Sequence, residues 1–541
     1  MIERKHKVYL QNFVERNMHI LPQPKKIERL NGSFCIDKNC DIHTNPLFLS
    51  QANRFAELVE NCCGFRPSVV DDMESSRVIF NLDENYRHEQ YSVMISDGVA
   101  TVIAGDEAGC FYAVETLRQL LSLDFKQEIV SCENCYLTDQ PKFGYRGLML
   151  DVCRHFFGVD TVKTIIDLMA RLKMNKLHLH LSDDQGFRME IKKYPLVNTI
   201  GSVRGGSEVV SDGKRYVDEI PHEGYFTQDE LRGLVAYAQE RHIDIVPEFD
   251  VPGHCIALIA AYPELSCSGK VTEVRKKWGI SKDILCAGND KVYEVVRDIL
   301  DEICDVFPSE YIHLGGDEAP KERWCNCKLC KQRLSELKLG SFEKLQTYMV
   351  ECFREHLAEK GRKVICWNDG LGDDANGEIV SQVWWVHGCA KRAATKQINH
   401  GRKAIMSATP YVYFDYPYSV TPLKKTLSYN PLGGVRASAR ENVLGVEGAL
   451  WTEYVADTDK LFFNLLPRLD VLAECAWGYH TNKFFRYLRE KFAVYSALGL
   501  TFNGNINDNG PIKRRATTRK FWHENSNVEV DAYKAAHADK D

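Results

Sequence analysis

From Tyr145 onward the sequence alternates short, almost continuously apolar runs with amphipathic stretches, and this rhythm constrains the fold more than any other feature of the chain. The runs are YRGLMLDV, KLHLHLSD, DIVPEFDVP, YIHLGGDE, VICWND, VSQVWW, KAIMSAT and VLGVEGALW, with helical segments or long loops between them. A strand that is apolar on both faces is buried on both faces, which, with helices between strands, means a parallel sheet. Eight such strands predict a closed (β/α)8 TIM barrel. In these barrels the active site lies at the carboxyl ends of the strands, where the loops begin. Every run except KAIMSAT ends in or beside a carboxylate, a histidine or a tryptophan, and KAIMSAT leads into a loop carrying Tyr413 and Asp415. Polar and aromatic groups therefore converge on one face.

The residues before the barrel have a different character. Residues 1–140 carry short β-like runs, SRVIFNL and YSVMISDGVATVIAG, then a helical pattern at AGCFYAVETLRQLLS, and read as a smaller α+β domain with an Asp97-Gly98 hairpin turn. The barrel is assigned to 141–500, and the polar stretch 501–541 to a carboxy-terminal helix and tail. With 69 basic against 75 acidic residues and a net charge of -6, the chain has no global field for nucleic acid or an anionic membrane, so a neutral partner is expected. No apolar run approaches the roughly 20 residues that span a bilayer, and the first residues lack a signal-peptide core, which points to a soluble, cytoplasmic protein. The 19 cysteines form no framework and cannot all pair within the chain, in keeping with a reducing compartment.

The chemistry starts at Asp317 and Glu318, adjacent carboxylates directly after a buried strand. Such a pair is costly unless it is used or hydrogen-bonded. Taken alone it could equally begin a helix, whose dipole favours acidic side chains. Asp183 and Asp184 end a second strand, however, and Asp250 and His254 follow a third, so five carboxylates and a histidine share one rim. His178 and His180, inside their strand, are expected to be packed core histidines.

Together, HLGGDEAP, LHLHLSDDQGFR, PEFDVPGH, YRGLMLDVCRHF and GALWTEY resemble glycoside hydrolase family 20, the β-N-acetylhexosaminidases, in order and spacing. The resemblance covers residues ~140 to ~480, and the first domain is similar to the small domain that precedes the barrel in that family. It implies exo-acting hydrolysis of terminal β-linked N-acetylhexosamines, retaining and substrate-assisted, with the 2-acetamido oxygen as nucleophile. By the same resemblance Glu318 is the general acid and base, and Asp317 orients the acetamido group and stabilises an oxazolinium ion. His254 relays between Asp183 and Glu318, with Asp184 as the alternative to Asp183. Elementary chemistry agrees: a leaving oxygen needs a proton donor, a developing cation needs a fixed anion, and a nearby carboxylate and a partly dry pocket favour a protonated Glu318.

Trp367, Trp384 and Trp451 lie at or near three strand ends and, by resemblance, wall the sugar pocket; Trp385 is as readily a packing residue. The resemblance further gives Arg146 to the 3- and 4-hydroxyls, Glu453 to the 4-hydroxyl, Tyr413 to the acetamido carbonyl and Asp415 to the 6-hydroxyl. It implies a small glycan substrate; no cofactor, no catalytic metal and no nucleic-acid or membrane partner is expected, and a homodimer is an allowed assembly. A barrel metallohydrolase built on His178, His180, Asp183, His254 and Asp317 is disfavoured, because the two strand histidines precede the rim; a sugar-binding protein without activity is the third alternative. Cys325, Cys327 and Cys330, in CNCKLC, could join a fourth ligand around zinc, but no second C-x2-C stands nearby, and free thiols are the preferred assignment, as for Cys132 and Cys135.

Overall fold

A computed structural model describes residues 19–211, 214–372, 375–386 and 389–506. The expected carboxy-terminal helix lies, from residue 507 on, outside the described residues. The chain divides into two compact units. One comprises the residues up to Lys142 with Arg171–Lys173 and Trp477–Gly499; the other comprises Phe143–Ala170, Met174–Ala476 and the residues from Leu500. The helix Phe484–Ala497 thus groups with the amino-terminal unit, where the sequence pattern had assigned it to the barrel.

The first unit is built on a seven-stranded sheet in the order Lys26–Ile36, Val130–Asp139, Tyr91–Ser96, Val99–Ala104, Val78–Leu82, Ile42–Thr44, Val69–Val70. The hairpin between its third and fourth members turns at Asp97 and Gly98, with φ of 50° and 78°. Two consecutive left-handed residues match the turn to the strand twist, and Gly98 takes that conformation without strain. The helix Glu107–Leu120 follows, its first turn capped by Asp106, whose carboxylate accepts from the Gly109 amide at 2.7 Å.

The second unit is the barrel. All eight expected strands form: Tyr145–Asp151, Lys176–His180, Asp244–Glu248, Tyr311–His313, Lys363–Trp367, Val380–Val383, Ala404–Met406 and Val443–Leu450. Each pairs in parallel with the next, and the eighth closes on the first from Gly445 opposite Tyr145 to Leu450 opposite Leu150. Tyr145, Val246, Ile365, Val380 and Ile405 pack together inside. Long helices such as Val159–Arg171, Gln228–Gln239, Asp290–Val306 and Phe342–Glu359 cover the outside, while the fifth crossover, from Trp367 to Val380, contains no helix among the described residues. No described helix is long and apolar enough to cross a membrane.

Above the apolar layer the interior is ionic. Glu248 accepts hydrogen bonds from His180 Nδ1 and from Trp367 Nε1 at 2.8 Å, and it faces His178 Nε2 at 3.1 Å and His313 Nδ1 at 3.0 Å. Glu447 accepts from Tyr145 Oη at 2.6 Å and pairs with His178 Nδ1 at 2.9 Å. Burial pulls the His178 pKa down, but Glu447 and Glu248 more than offset this and raise it to about 9. The same balance, against Glu248 and Asp183, raises His180 to about 10. Both are imidazoliums at neutral pH, each held between two carboxylates.

Candidate active site

The carboxyl ends of the strands enclose a cavity of about 330 Å3, lined among others by Arg154, His254, Trp278, Asp317, Glu318, Trp384, Tyr413, Asp415, Trp451 and Glu453. The fourth strand stops at His313, and Gly315 and Gly316 follow with φ of 60° and 95°. This turn delivers Asp317 to the cavity. A β-carbon at Gly315 would stand 2.0 Å from Asp250 Oδ1, the same oxygen that accepts the Gly316 amide at 2.8 Å, so this position tolerates no side chain.

Asp317 is 8% exposed, and its Oδ1 is buried without a hydrogen-bond partner. Burial first, and the neighbouring Asp250 second, push its carboxyl well above the usual range. Glu318 is more open, with a third of its side chain exposed (33%), and its amide donates to Asp369 Oδ2 at 3.2 Å. Glu318 and His254 have φ of 45° and 50°, a left-handed conformation that costs a non-glycine residue roughly 1 kcal/mol or more and persists where surrounding contacts enforce it.

His254 joins two of the carboxylates. Its Nδ1 hydrogen-bonds Asp183 at 3.2 Å, and its Nε2 stands 3.7 Å from Glu318 Oε2. Burial disfavours the imidazolium, but the Asp183 charge, the hydrogen bond to Asp183 and the nearby Glu318 and Asp317 carboxylates outweigh it and raise the His254 pKa well above its ordinary value. Asp183 is completely buried and is held also by His180 Nε2 at 2.9 Å and Arg154 at 2.8 Å. Asp184 turns elsewhere: it accepts from the Ile256 amide at 3.1 Å and pairs with Arg275 at 3.0 Å. The pairing of His254 is therefore with Asp183.

Arg146 is not in the cavity. It begins its strand, at the amino end of the barrel, where its guanidinium donates to the Phe143 carbonyl at 2.9 Å. The arginine at the site is Arg154, just past the carboxyl end of the same strand. It pairs with Asp183 at 2.8 Å and Asp151 at 3.2 Å, donates to Gln185 at 3.1 Å, approaches Glu453 at 4.0 Å and lies over the Trp451 ring at 4.9 Å. Asp151 fixes this turn by accepting the amides of Cys153 and Arg154, and it also accepts Thr452 N–H from the loop after the eighth strand.

Three aromatic residues form one wall: Tyr413 stacks on Trp384 at a 22° interplanar angle and packs against Trp451 at 6.4 Å between centroids. Trp367 lies behind this wall, 1% exposed, its ring 5.9 Å from Trp451, and is not among the lining residues. Trp385 is 41% exposed. Asp415 has a buried oxygen without a partner, and burial together with Glu453 pushes its carboxyl well above the usual range. Sequence reasoning missed Arg154, Trp278 and Asp369, the last of which accepts the Trp384 indole N–H at 2.7 Å as well as the Glu318 amide.

The glycosyl hydrolase family 20 catalytic domain matches residues 143–480, and domain 2 of the same family matches residues 17–138. The chain belongs to glycosyl hydrolase family 20. It is 32% identical over 496 residues to a beta-hexosaminidase of Porphyromonas gingivalis, a match covering 87% of this chain and 62% of that protein, so the chain spans less than two thirds of that relative. It is 33% identical over 418 residues to a beta-hexosaminidase of Akkermansia muciniphila, covering 75% and 82% of the two chains. Among solved structures it is similar to an exo beta-N-acetylglucosaminidase of Vibrio harveyi in complex with N-acetylglucosamine, with TM-score 0.80, 27% identity and 90% and 78% of the chains covered. A beta-N-acetylhexosaminidase of Bacteroides fragilis aligns with TM-score 0.78 and 28% identity over 92% of this chain and all of that one.

Proposed function

We propose that the protein is an exo-acting β-N-acetylhexosaminidase whose nucleophile is the acetamido oxygen of its own substrate. The observation that carries this assignment is the unpartnered, buried oxygen of Asp317 in a cavity walled by Trp384, Tyr413 and Trp451. A buried acceptor without a donor is costly, and an acetamido N–H would supply the donor. The aromatic wall suits the acetyl methyl group and the apolar face of a pyranose. Asp317 then orients the carbonyl oxygen toward the anomeric carbon, with the Tyr413 hydroxyl donating to that oxygen. As the glycosidic bond breaks, Glu318 gives its proton to the leaving oxygen and the carbonyl oxygen bonds to the anomeric carbon. The oxazolinium cation forms beside Asp317, and its positive charge favours the ionised carboxylate that burial otherwise opposes. Glu318, now a carboxylate, takes a proton from water as the water opens the ring.

Asp183 and His254 set the charge behind Glu318, since an imidazolium held by Asp183 faces it. Arg154, Asp415 and Glu453 are assigned to the sugar hydroxyls at the non-reducing end, which leaves no exit for a longer chain and makes cleavage exo. The names of the relatives and the N-acetylglucosamine bound to the Vibrio harveyi protein agree with this substrate class. A time course on chitooligosaccharides tests it: N-acetylglucosamine released one unit at a time is expected, and early internal dimers and trimers would mean an open cleft.

A further inference from the structure

The cysteine motif that follows the catalytic pair gains a meaning that its spacing alone did not carry. Cys325 is exposed and stands apart. Cys327 and Cys330 instead meet Cys267 and Cys286, which lie in the loop after the third barrel strand, and the four sulfurs all lie within 4.8 Å of one another. The sulfur–sulfur separations are 3.8 Å for Cys267 to Cys330, 3.7 Å for Cys286 to Cys327 and 3.6 Å for Cys286 to Cys330. Four thiolates on one zinc ion, with tetrahedral bonds of about 2.3 Å, have neighbouring sulfurs about 3.8 Å apart. The observed spacings match that edge, and Cys330 is close to two partners, which a division into two disulfides does not require. Thiolates of a four-iron cluster each bind a different iron, and those of a two-iron cluster are shared two to an iron, so in neither do all four sulfurs lie within 4.8 Å of one another as they do around a single ion.

We propose that Cys267, Cys286, Cys327 and Cys330 bind one structural zinc ion. The four ligands fill a closed tetrahedron with no open position, as structural sites do, and Cys327-x2-Cys330 is the short chelating arm such sites use. Binding releases four thiol protons to solvent and leaves a centre of net charge -2. The surroundings suit that charge: the Gly288 amide hydrogen-bonds the Cys286 sulfur, and the Arg323 guanidinium lies near Cys267. The backbone is also shaped for the meeting, because a β-carbon at Gly288 would stand 2.1 Å from the Leu329 carbonyl carbon.

The metal would join the loop after the third strand to the segment after the fourth. Cys267 and Cys286 flank an 18-residue stretch, already pinched by the Ser266–Leu285 bridge, that carries Trp278 and Gly279 to the cavity. Across the junction the Trp324 indole donates to the Leu285 carbonyl at 2.8 Å. Zinc here is a brace for a pocket wall and takes no part in the reaction.

The test is the metal content of the purified, full-length protein, together with X-ray absorption at the zinc edge. About one zinc per chain, with four sulfur neighbours at about 2.3 Å, is expected. Cys330→Ser and Cys327→Ser should lose the metal at least tenfold more readily to a competing chelator, whereas Cys325→Ser should retain it. If those variants fail to fold, cobalt exchanged into the unmodified protein should give the visible bands and thiolate charge-transfer absorption of a tetrahedral four-sulfur site. Protein grown with ample zinc that contains none, or zinc with nitrogen or oxygen in its first shell, would overturn the proposal.

Discussion

Replacing Asp317 with asparagine should damage the reaction and strengthen the fold, and the two effects separate by pH. The side chain is 8% exposed, and Oδ1 has no partner. Its folded pKa is raised, by burial first and by Asp250 second, above the roughly 3.9 of an unfolded aspartate. Between those two values the unfolded chain ionises more readily than the folded one, so the native protein loses stability as pH rises through that window and stays penalised above it. Asparagine does not titrate. Relief of a buried, underpartnered acceptor is worth about 1–3 kcal/mol, which for a unit of this size raises the melting temperature by roughly 1–4 °C. That gain should appear near about pH 8 and fade towards about pH 3, below the unfolded value, where the carboxyl is neutral in both the folded and the unfolded chain. In the same protein kcat/KM on a nitrophenyl N-acetylglucosaminide should fall about 100- to 1000-fold, as expected when a fixed anion beside a developing cation is lost. Calorimetry at the two pH values and initial rates measure both effects. A melting temperature that is lower at both pH values, or a gain that does not change with pH, would refute the electrostatic account of this carboxyl.

The remaining expectations concern the acid, the arginine and the interior. Glu318→Gln should slow substrates with poor leaving groups strongly and nitrophenolates much less; equal losses on both would remove it from the acid role. Arg154→Lys keeps the charge but loses the fork that holds Asp183, Asp151 and Gln185, so kcat/KM should fall about tenfold to several-hundredfold, while Arg146→Lys leaves it nearly unchanged; the reverse order would restore Arg146 to the site. The raised pKa values of His178 and His180, about 9 and about 10, contribute stability that is complete below the unfolded value of roughly 6.5 and is lost as pH rises through the folded values. The melting temperature should therefore decline between about pH 7 and about pH 10, and less steeply in His180→Asn; parallel curves would argue against imidazolium in the barrel.

The barrel was legible because each of its strands is buried on both faces and so is written as an apolar run that alternation with helices could not hide. The polar rim was legible for the same reason: Asp183, Asp250 and Asp317 each interrupt an apolar run where the strand leaves the core. Arg146 and Arg154 show where pattern matching failed against geometry. They flank one strand, and the rule that chemistry sits at carboxyl ends selects Arg154, which the resemblance of YRG to a family motif overrode. Trp367 belongs to a strand end, but its indole turns inward to Glu248, a side-chain direction that strand position alone does not fix. Trp278, Cys267 and Cys286 come from an irregular loop with no periodicity to read. Their convergence depends on long-range packing, so C-x-C-x2-C suggested the wrong third ligand, Cys325, and concealed the other two.

The central claim is that the substrate supplies the nucleophile, and it is tested most directly by varying the 2-substituent alone. Nitrophenyl β-glycosides carrying acetamido, mono-, di- and trifluoroacetamido groups, and the plain glucoside, share a leaving group and differ in the basicity of the carbonyl oxygen. If that oxygen attacks the anomeric carbon beside Asp317, kcat falls steeply and monotonically with each fluorine and the glucoside is nearly inert. A flat series, or a sugar covalently trapped on a carboxylate of the protein, would contradict the account.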